Sequence, residues 1–207
     1  MTGSGRTAAA QGIRTPRLLV ATVAELPLAG GDAGDRTPEI RLADVGALLA
    51  AHLPAADPLA VYSTRLGSAP LGRQSLRGYL TGSVDAVLRI DGRYLVVDYK
   101  TNWLGTADAP LTAADYRQAR LAEAMLHSDY PLQALLYLVA LHRFLRWRQP
   151  GYDPERHLGG VLYLFLRGMC GPDTPTEDGL PAGVFSWHPP GALVAALSDL
   201  LHQGAIR

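Results

Sequence analysis

Lysine is almost missing from this chain of 207 residues. Of its 19 basic residues 18 are arginines, and Lys100 is the exception. A sequence that uses arginine for every generic positive charge marks its one lysine as a position where a guanidinium will not do. An ammonium is compact and its pKa responds to surroundings, whereas arginine stays protonated. Cysteine is as scarce: Cys170 stands alone, which excludes an internal disulfide framework and a cysteine-based zinc site and fits a reducing cytoplasm. No apolar run approaches the roughly 18 residues of a membrane span. Residues 1–16 carry Arg6 and Arg14 without an apolar stretch and small-residue cleavage site, so neither export nor a membrane partner is expected. Net charge is zero, so a nucleic-acid partner would have to meet a local arginine surface. There is no G-x-x-x-x-G-K-[ST], and no ATPase activity is expected.

What is present suffices for one core, with 48% hydrophobic residues. The reading is a flexible tail over residues 1–16 and a single domain over residues 17–207. A strand is expected over residues 17–27, a Gly/Asp/Pro loop over residues 29–38, and a helix over residues 40–53 stopped by Pro54. Residues 54–74 read as irregular. Two extended segments over residues 76–101 flank Asp91-Gly92, a strong hairpin signal. Helices follow over residues 113–127 and 130–148. The continuous apolar run of residues 160–167 reads as a strand covered on both faces. A loop over residues 171–183, a strand over residues 184–188 and a helix over residues 192–201 complete an α/β domain with a mixed central sheet flanked by helices.

The hairpin carries the chemistry. With a two-residue turn at Asp91-Gly92, cross-strand partners have numbers summing to 183, so Asp85 faces Asp98 at a non-hydrogen-bonded pair, where Cα atoms are only about 4.5 Å apart. Two carboxylates there repel, unless a divalent cation lies between them. Alternation puts Lys100 on the same face as Asp98, opposite Ser83. A cation pair with an ammonium beside it is what metal-assisted phosphodiester hydrolysis calls for. An ordinary surface ion pair of Asp98 with Lys100, with Asp85 solvated, is the alternative.

Asp85, thirteen further steps, then Asp98-x-Lys100 on a hairpin resembles the signature of the PD-(D/E)xK nuclease superfamily, whose restriction-endonuclease-like core is a mixed sheet between helices. Further stretches are similar to the C-terminal nuclease domains of the RecB family, the beta subunit of exonuclease V. They are Leu76-Arg77-Gly78-Tyr79, Val97-Asp98-Tyr99-Lys100-Thr101-Asn102-Trp103-Leu104-Gly105, Tyr130-x-Leu132-Gln133 with Leu136-Tyr137, and Gly159-Gly160-Val161-x-Tyr163-Leu164-Phe165-Leu166-Arg167-Gly168. The similarity runs from about residue 76 to the end, and more weakly back to about residue 17.

The resemblance implies a Mg2+-dependent deoxyribonuclease, with Mn2+ as the substitute ion, acting on single- or double-stranded DNA in double-strand break repair and recombination. The implied partners are the other subunits of a helicase-nuclease complex and a recombinase. Asp85 and Asp98 would be metal ligands, the carbonyl of Tyr99 a further one, Lys100 the catalytic lysine, and Gln133 and Tyr137 the helix motif behind the site. It also implies a histidine ligand on a helix before residue 17, which residues 1–16 do not supply; His52 comes after the first strand. A truncated, non-catalytic DNA-binding or partner-docking module is therefore the rival expectation.

Other residues divide between roles. Arg143, Arg146 and Arg148 with Trp147 end the second long helix and would serve either as phosphate contacts or as cations on the helix dipole. Arg167 is open between a phosphate contact and a packing ion pair. The remaining histidines lack metal-ligand spacing and read as structural, and Cys170 as inert.

Overall fold

The structure is a computed structural model that describes residues 17–20, 23–27, 39–76 and 79–203. The expected tail and the expected loop over residues 29–38 lie outside the described residues. A five-stranded sheet forms the centre, in the order β1 (Arg17–Val20), β6 (Ala86–Ile90), β7 (Arg93–Lys100), β8 (Leu158–Phe165), β11 (Val184–Trp187). All neighbours are antiparallel except β7 and β8, which run parallel. The sheet is mixed as expected, and the parallel pair sends the chain ends after Lys100 and Phe165 to the same edge.

The segment read as one strand over residues 17–27 is two. β1 joins the main sheet, and β2 (Val23–Pro27) pairs with β5 (Tyr79–Ser83) in a separate ribbon. Two further short strands, β3 (Ile40–Arg41) and β4 (Ser75–Leu76), pair with each other. The first arm of the expected hairpin is thus three pieces, because its upper half is claimed by other partners.

Helix α1 (Leu42–His52) starts where the Asp44 carboxylate accepts the Arg41 backbone N–H at 2.7 Å, and it stops just before Pro54. Residues 54–74 are more ordered than their Pro and Gly content suggested: α2 (Tyr62–Gly67) and a 3-10 turn at Leu71–Arg73 lie there. Tyr62 and Leu66, four apart, are fully buried, so tertiary burial outweighs weak local propensity. The helix expected over residues 113–127 is broken. A capping box of Thr112 and Asp115 closes a 3-10 turn at Ala113–Tyr116, Arg117 is extended, and α3 (Gln118–His127) starts afresh.

Helix α4 (Tyr130–Arg148) matches its expected bounds, with Pro131 in its first turn, and packs Ala134, Leu135, Leu138 and Val139 toward β8 and toward α6 (Gly191–Gln203). The short α5 (Pro154–His157) leads into β8. In β8, Val161, Tyr163 and Phe165 are buried while Leu162 and Leu164 are only half-buried, so this strand is fully covered on one face rather than both. It ends at Phe165, and Leu166–Gly168 is a 3-10 turn. Gly160 has φ +87°, and a Cβ there would lie 2.3 Å from the Trp187 carbonyl oxygen, so only glycine allows β11 to close on β8. The stretch over residues 171–183 holds a small ladder, β9 (Thr176–Glu177) with β10 (Leu180–Pro181), where only a loop was expected. Among the described residues no helix is long and apolar enough to cross a membrane.

Candidate active site

The turn between β6 and β7 is the two-residue type the sequence calls for: Asp91 and Gly92 both have positive φ, 48° and 85°. The register follows, from Ile90↔Arg93 to Ala86↔Val97. There the ladder stops, one pair short of the expected Asp85–Asp98 partnership. Asp85 is a bend residue, and Ser83 pairs with Val23 in the ribbon rather than with Lys100. The physical reason lies in the carboxylate itself: Asp85 Oδ2 accepts the backbone N–H of Tyr99 at 2.9 Å. A side-chain oxygen thereby takes the donor that a ladder carbonyl would otherwise satisfy. Asp85 still sits beside the end of β7, but exposed at its rim and not opposed within the sheet.

Asp98 and Lys100 share a face, as period-two alternation requires. The Asp98 side chain is 5% exposed and that of Lys100 12%, with Oδ2 and Nζ 2.7 Å apart. No donor is aligned with Oδ2 for a hydrogen bond, so the contact is one of charge at short range. Burial pushes the Asp98 carboxyl above the usual carboxylate range, Lys100 pulls it back, and the negative charge of Asp85 pushes it up again.

Helix α4 closes the site from the same face. Lys100 Nζ donates to Gln133 Oε1 at 3.0 Å, and Gln133 Nε2 donates to the Tyr137 hydroxyl at 2.9 Å. The two helix residues, four apart, do point the same way. Burial, followed by the charge of Asp98, raises the Tyr137 phenol above its ordinary value, and Asp85 adds a smaller push. Tyr137 therefore stays protonated between Gln133 and the carboxylates.

Sequence reasoning missed three residues. The rings of Tyr130 and Tyr163 flank the ammonium, with centroids 4.0 and 5.1 Å from Nζ. The Tyr163 hydroxyl lies 3.1 Å from Gln133 Oε1 and 3.2 Å from the Tyr130 carbonyl oxygen. Asn102 accepts from Tyr130 through its side chain and from Tyr116 through its carbonyl. The signals were available: residues 130, 133 and 137 share one helical stripe, and Asn102 is the only asparagine in the chain. Only the partnering of Tyr163 with Asp98 across the parallel ladder required the fold.

The other candidates separate. His52 spends its Nδ1 on the Leu48 carbonyl of its own helix. Arg143 binds Ser198 on α6 through Nε and Nη2, while Arg146, Trp147 and Arg148 are exposed. Arg167 donates to the Thr101 carbonyl at 2.9 Å. Cys170 is an exposed free thiol. Among the described residues no group of three or more His, Cys, Asp or Glu side chains is placed to hold a metal ion. The candidate ligands are therefore two carboxylates and backbone. In a strand the N–H and C=O of one residue point to the same side. Since the Tyr99 N–H meets Asp85, its carbonyl faces that side too.

Comparison with known proteins gives one consistent result. Over 184 residues the chain is 68% identical to the RecBCD enzyme subunit RecB of Mycobacterium tuberculosis, covering 88% of this chain and 16% of that protein. It is 67% identical over 182 residues to RecB of Mycolicibacterium smegmatis, covering 87% and 17%. It is 40% identical over 144 residues to RecB of Escherichia coli, covering 70% and 11%. The chain thus spans about a sixth of the length of its mycobacterial relatives. No protein-family model matches it.

Proposed function

This chain is a homologue of RecB over nearly nine-tenths of its length, and from that premise we propose that it is a divalent-metal-dependent deoxyribonuclease domain that hydrolyses phosphodiester bonds. The single observation that carries the reading is the buried Asp98–Lys100 pair, 2.7 Å apart, with Asp85 at its rim. Burying two charges costs several kcal/mol per ion before their attraction is counted. A fold has little structural reason to do so when apolar residues would pack as well.

The donor set fits a hard cation. Asp98 Oδ2 is buried without an aligned donor, Asp85 is exposed at the same strand end, and the Tyr99 carbonyl faces Asp85. Mg2+, or Mn2+ in its place, would be held by Asp85, Asp98 and that carbonyl, with water and phosphate oxygens completing the shell. When bound, the ion supplies positive charge to the scissile phosphate and a more acidic water.

The chain's own residues do the rest. Lys100 Nζ, fixed by Asp98, Gln133 and the two tyrosine rings, orients the attacking water and stabilises the negative charge that grows on the phosphoryl oxygens. Gln133 accepts from the ammonium through Oε1 and donates to the Tyr137 hydroxyl through Nε2, a relay that holds Lys100 in position to act. Lysine suits this place because one small, rotatable head can lie against a carboxylate, donate to an amide and still reach a substrate.

The relatives' name, RecBCD enzyme subunit RecB, supports a place beside companion subunits in a larger enzyme, and the proposal extends this to the nuclease domain of a helicase-nuclease, with DNA as substrate and a recombinase as a further partner in double-strand break repair. The test is cleavage of single- and double-stranded DNA by the full chain in Mg2+, with Asp98→Ala and Lys100→Ala as controls. Metal-dependent cleavage well above both variants is expected. Cleavage no greater than theirs would leave the docking-module reading.

A further inference from the structure

Trp103 is 53% exposed, in a loop that begins where β7 ends. The chain shows elsewhere how it uses tryptophan for structure: Trp187 is 3% exposed and gives its Nε1 proton to Asp57. Trp103 fills no such place. The loop that carries it is nonetheless tied down on both sides of the indole. Arg167 Nε donates to the Thr101 carbonyl at 2.9 Å, and the Tyr116 hydroxyl to the Asn102 carbonyl at 2.7 Å. The Tyr130 hydroxyl reaches Asn102 Oδ1 at 3.2 Å, and Arg120 Nη2 the Leu104 carbonyl at 3.2 Å. A loop fixed at Thr101, Asn102 and Leu104, on either side of an exposed aromatic ring, is preorganised to bind something flat, with little ordering left to be lost.

Position says what. Trp103 stands three positions after Lys100, so their Cα atoms are at most about 11 Å apart. Arg167 lies in the 3-10 turn that follows the parallel neighbour β8, which leaves the sheet at the same edge, and its guanidinium lies over the indole at 5.9 Å from the ring centroid. Nε is committed to Thr101, and the residue is exposed, which leaves its two terminal nitrogens to meet a ligand. A ring and an exposed cation next to a phosphodiester-cleaving centre match a base and its phosphate.

We propose that Trp103 is a stacking platform for a nucleobase beside the scissile phosphate, and that Arg167 contacts the adjoining backbone phosphate. The inference rests on the nuclease reading for its substrate. It favours single strands, because in a duplex both faces of a base are already stacked and a single-stranded base keeps a face for the indole. Trp147, the other well-exposed tryptophan at 76%, stands fourteen residues beyond Gln133 on α4, about 21 Å along the axis, and serves as the control.

The experiment is equilibrium binding of the full chain, in EDTA, to a fluorescent oligothymidylate and to the same strand made abasic. Base-on-aromatic stacking predicts that Trp103→Ala weakens binding to the intact strand by between about five- and a hundred-fold. Trp103→Phe keeps most of the affinity and Trp147→Ala all of it. The parent prefers the intact over the abasic strand, and Trp103→Ala abolishes that preference. Arg167→Gln lowers the slope of log affinity against log salt by about 0.7, the value for one phosphate contact on a single strand. Equal binding by parent and Trp103→Ala, an affinity loss that follows Trp147 instead, or no binding by the parent overturns the proposal. Cleavage in Mg2+ is scored separately: a parent that shows the binding pattern without cutting sinks the nuclease reading alone, and a parent that cuts while Trp103→Ala binds like it sinks the platform alone.

Discussion

Asp85 Oδ2 accepts the backbone N–H of Tyr99 at 2.9 Å. The aspartate thus has two opposed effects on stability, since it satisfies a strand-end donor and it places negative charge near Asp98. Asparagine keeps the acceptor and drops the charge, while alanine drops both. In EDTA, Asp85→Asn is expected to melt at or above the parent. Asp85→Ala should fall below Asp85→Asn by about 1 kcal/mol, some 2–4 °C for a chain of this length. Thermal melts of the three proteins decide it, and an alanine variant as stable as the asparagine one would mean the bond to Tyr99 contributes nothing.

Lys100→Met leaves Asp98 buried without its cation. Burial already raises the Asp98 carboxyl and Lys100 is what lowers it, so the variant's folded-state value rises further. A folded acid with a raised pKa contributes stability below its ordinary value, near 3.8, and loses it as pH climbs through the folded value. The variant should therefore lose more stability than the parent between pH 4 and pH 8. Denaturant midpoints across that range check this; parallel pH curves for the two proteins would contradict it.

Gln133 touches no substrate in this account and acts through Lys100 and Tyr137. Gln133→Ala should lower kcat by roughly 10- to 100-fold, the usual cost of removing a group that orients a catalytic one, with KM for DNA nearly unchanged. Tyr137→Phe should follow in the same direction. A change confined to KM would reassign both residues to DNA binding.

His142 lies buried on α4 with Nδ1 3.0 Å from the Tyr152 hydroxyl. Burial lowers its pKa, Arg146 and Arg143 help, and Asp199 opposes. A histidine depressed in the fold contributes stability that is present above its ordinary value, 6.5, and is lost as pH falls toward the folded value. The melting temperature of the parent should drop between pH 7 and pH 5, and His142→Gln should flatten that part of the curve. An equal drop in both proteins would place the acid sensitivity elsewhere.

Much of this was legible in the chain. The Asp91-Gly92 turn, the register that follows from it, the 19-residue helix α4 and the shared face of Asp98 and Lys100 all rest on local chemistry that needs no tertiary information. What was hidden depended on distant partners. The ladder ends before Asp85 because β2 claims Ser83 and the Asp85 side chain claims Tyr99. The helix at α2 exists because the core takes Tyr62 and Leu66. The break at Arg117 follows from a capping box that reads equally well as the start of one long helix. Tyr163 reaches Lys100 only because β8 runs parallel beside β7 and sets it next to Asp98.

The central claim is that Asp85 and Asp98 together grip one divalent ion, and isothermal titration of the full chain with Mn2+ tests it without reference to catalysis. One ion per chain is predicted for the parent, with binding weakened sharply in both Asp85→Asn and Asp98→Asn and retained in Gln133→Ala. Titration curves for the two aspartate variants that superimpose on the parent's would contradict the account.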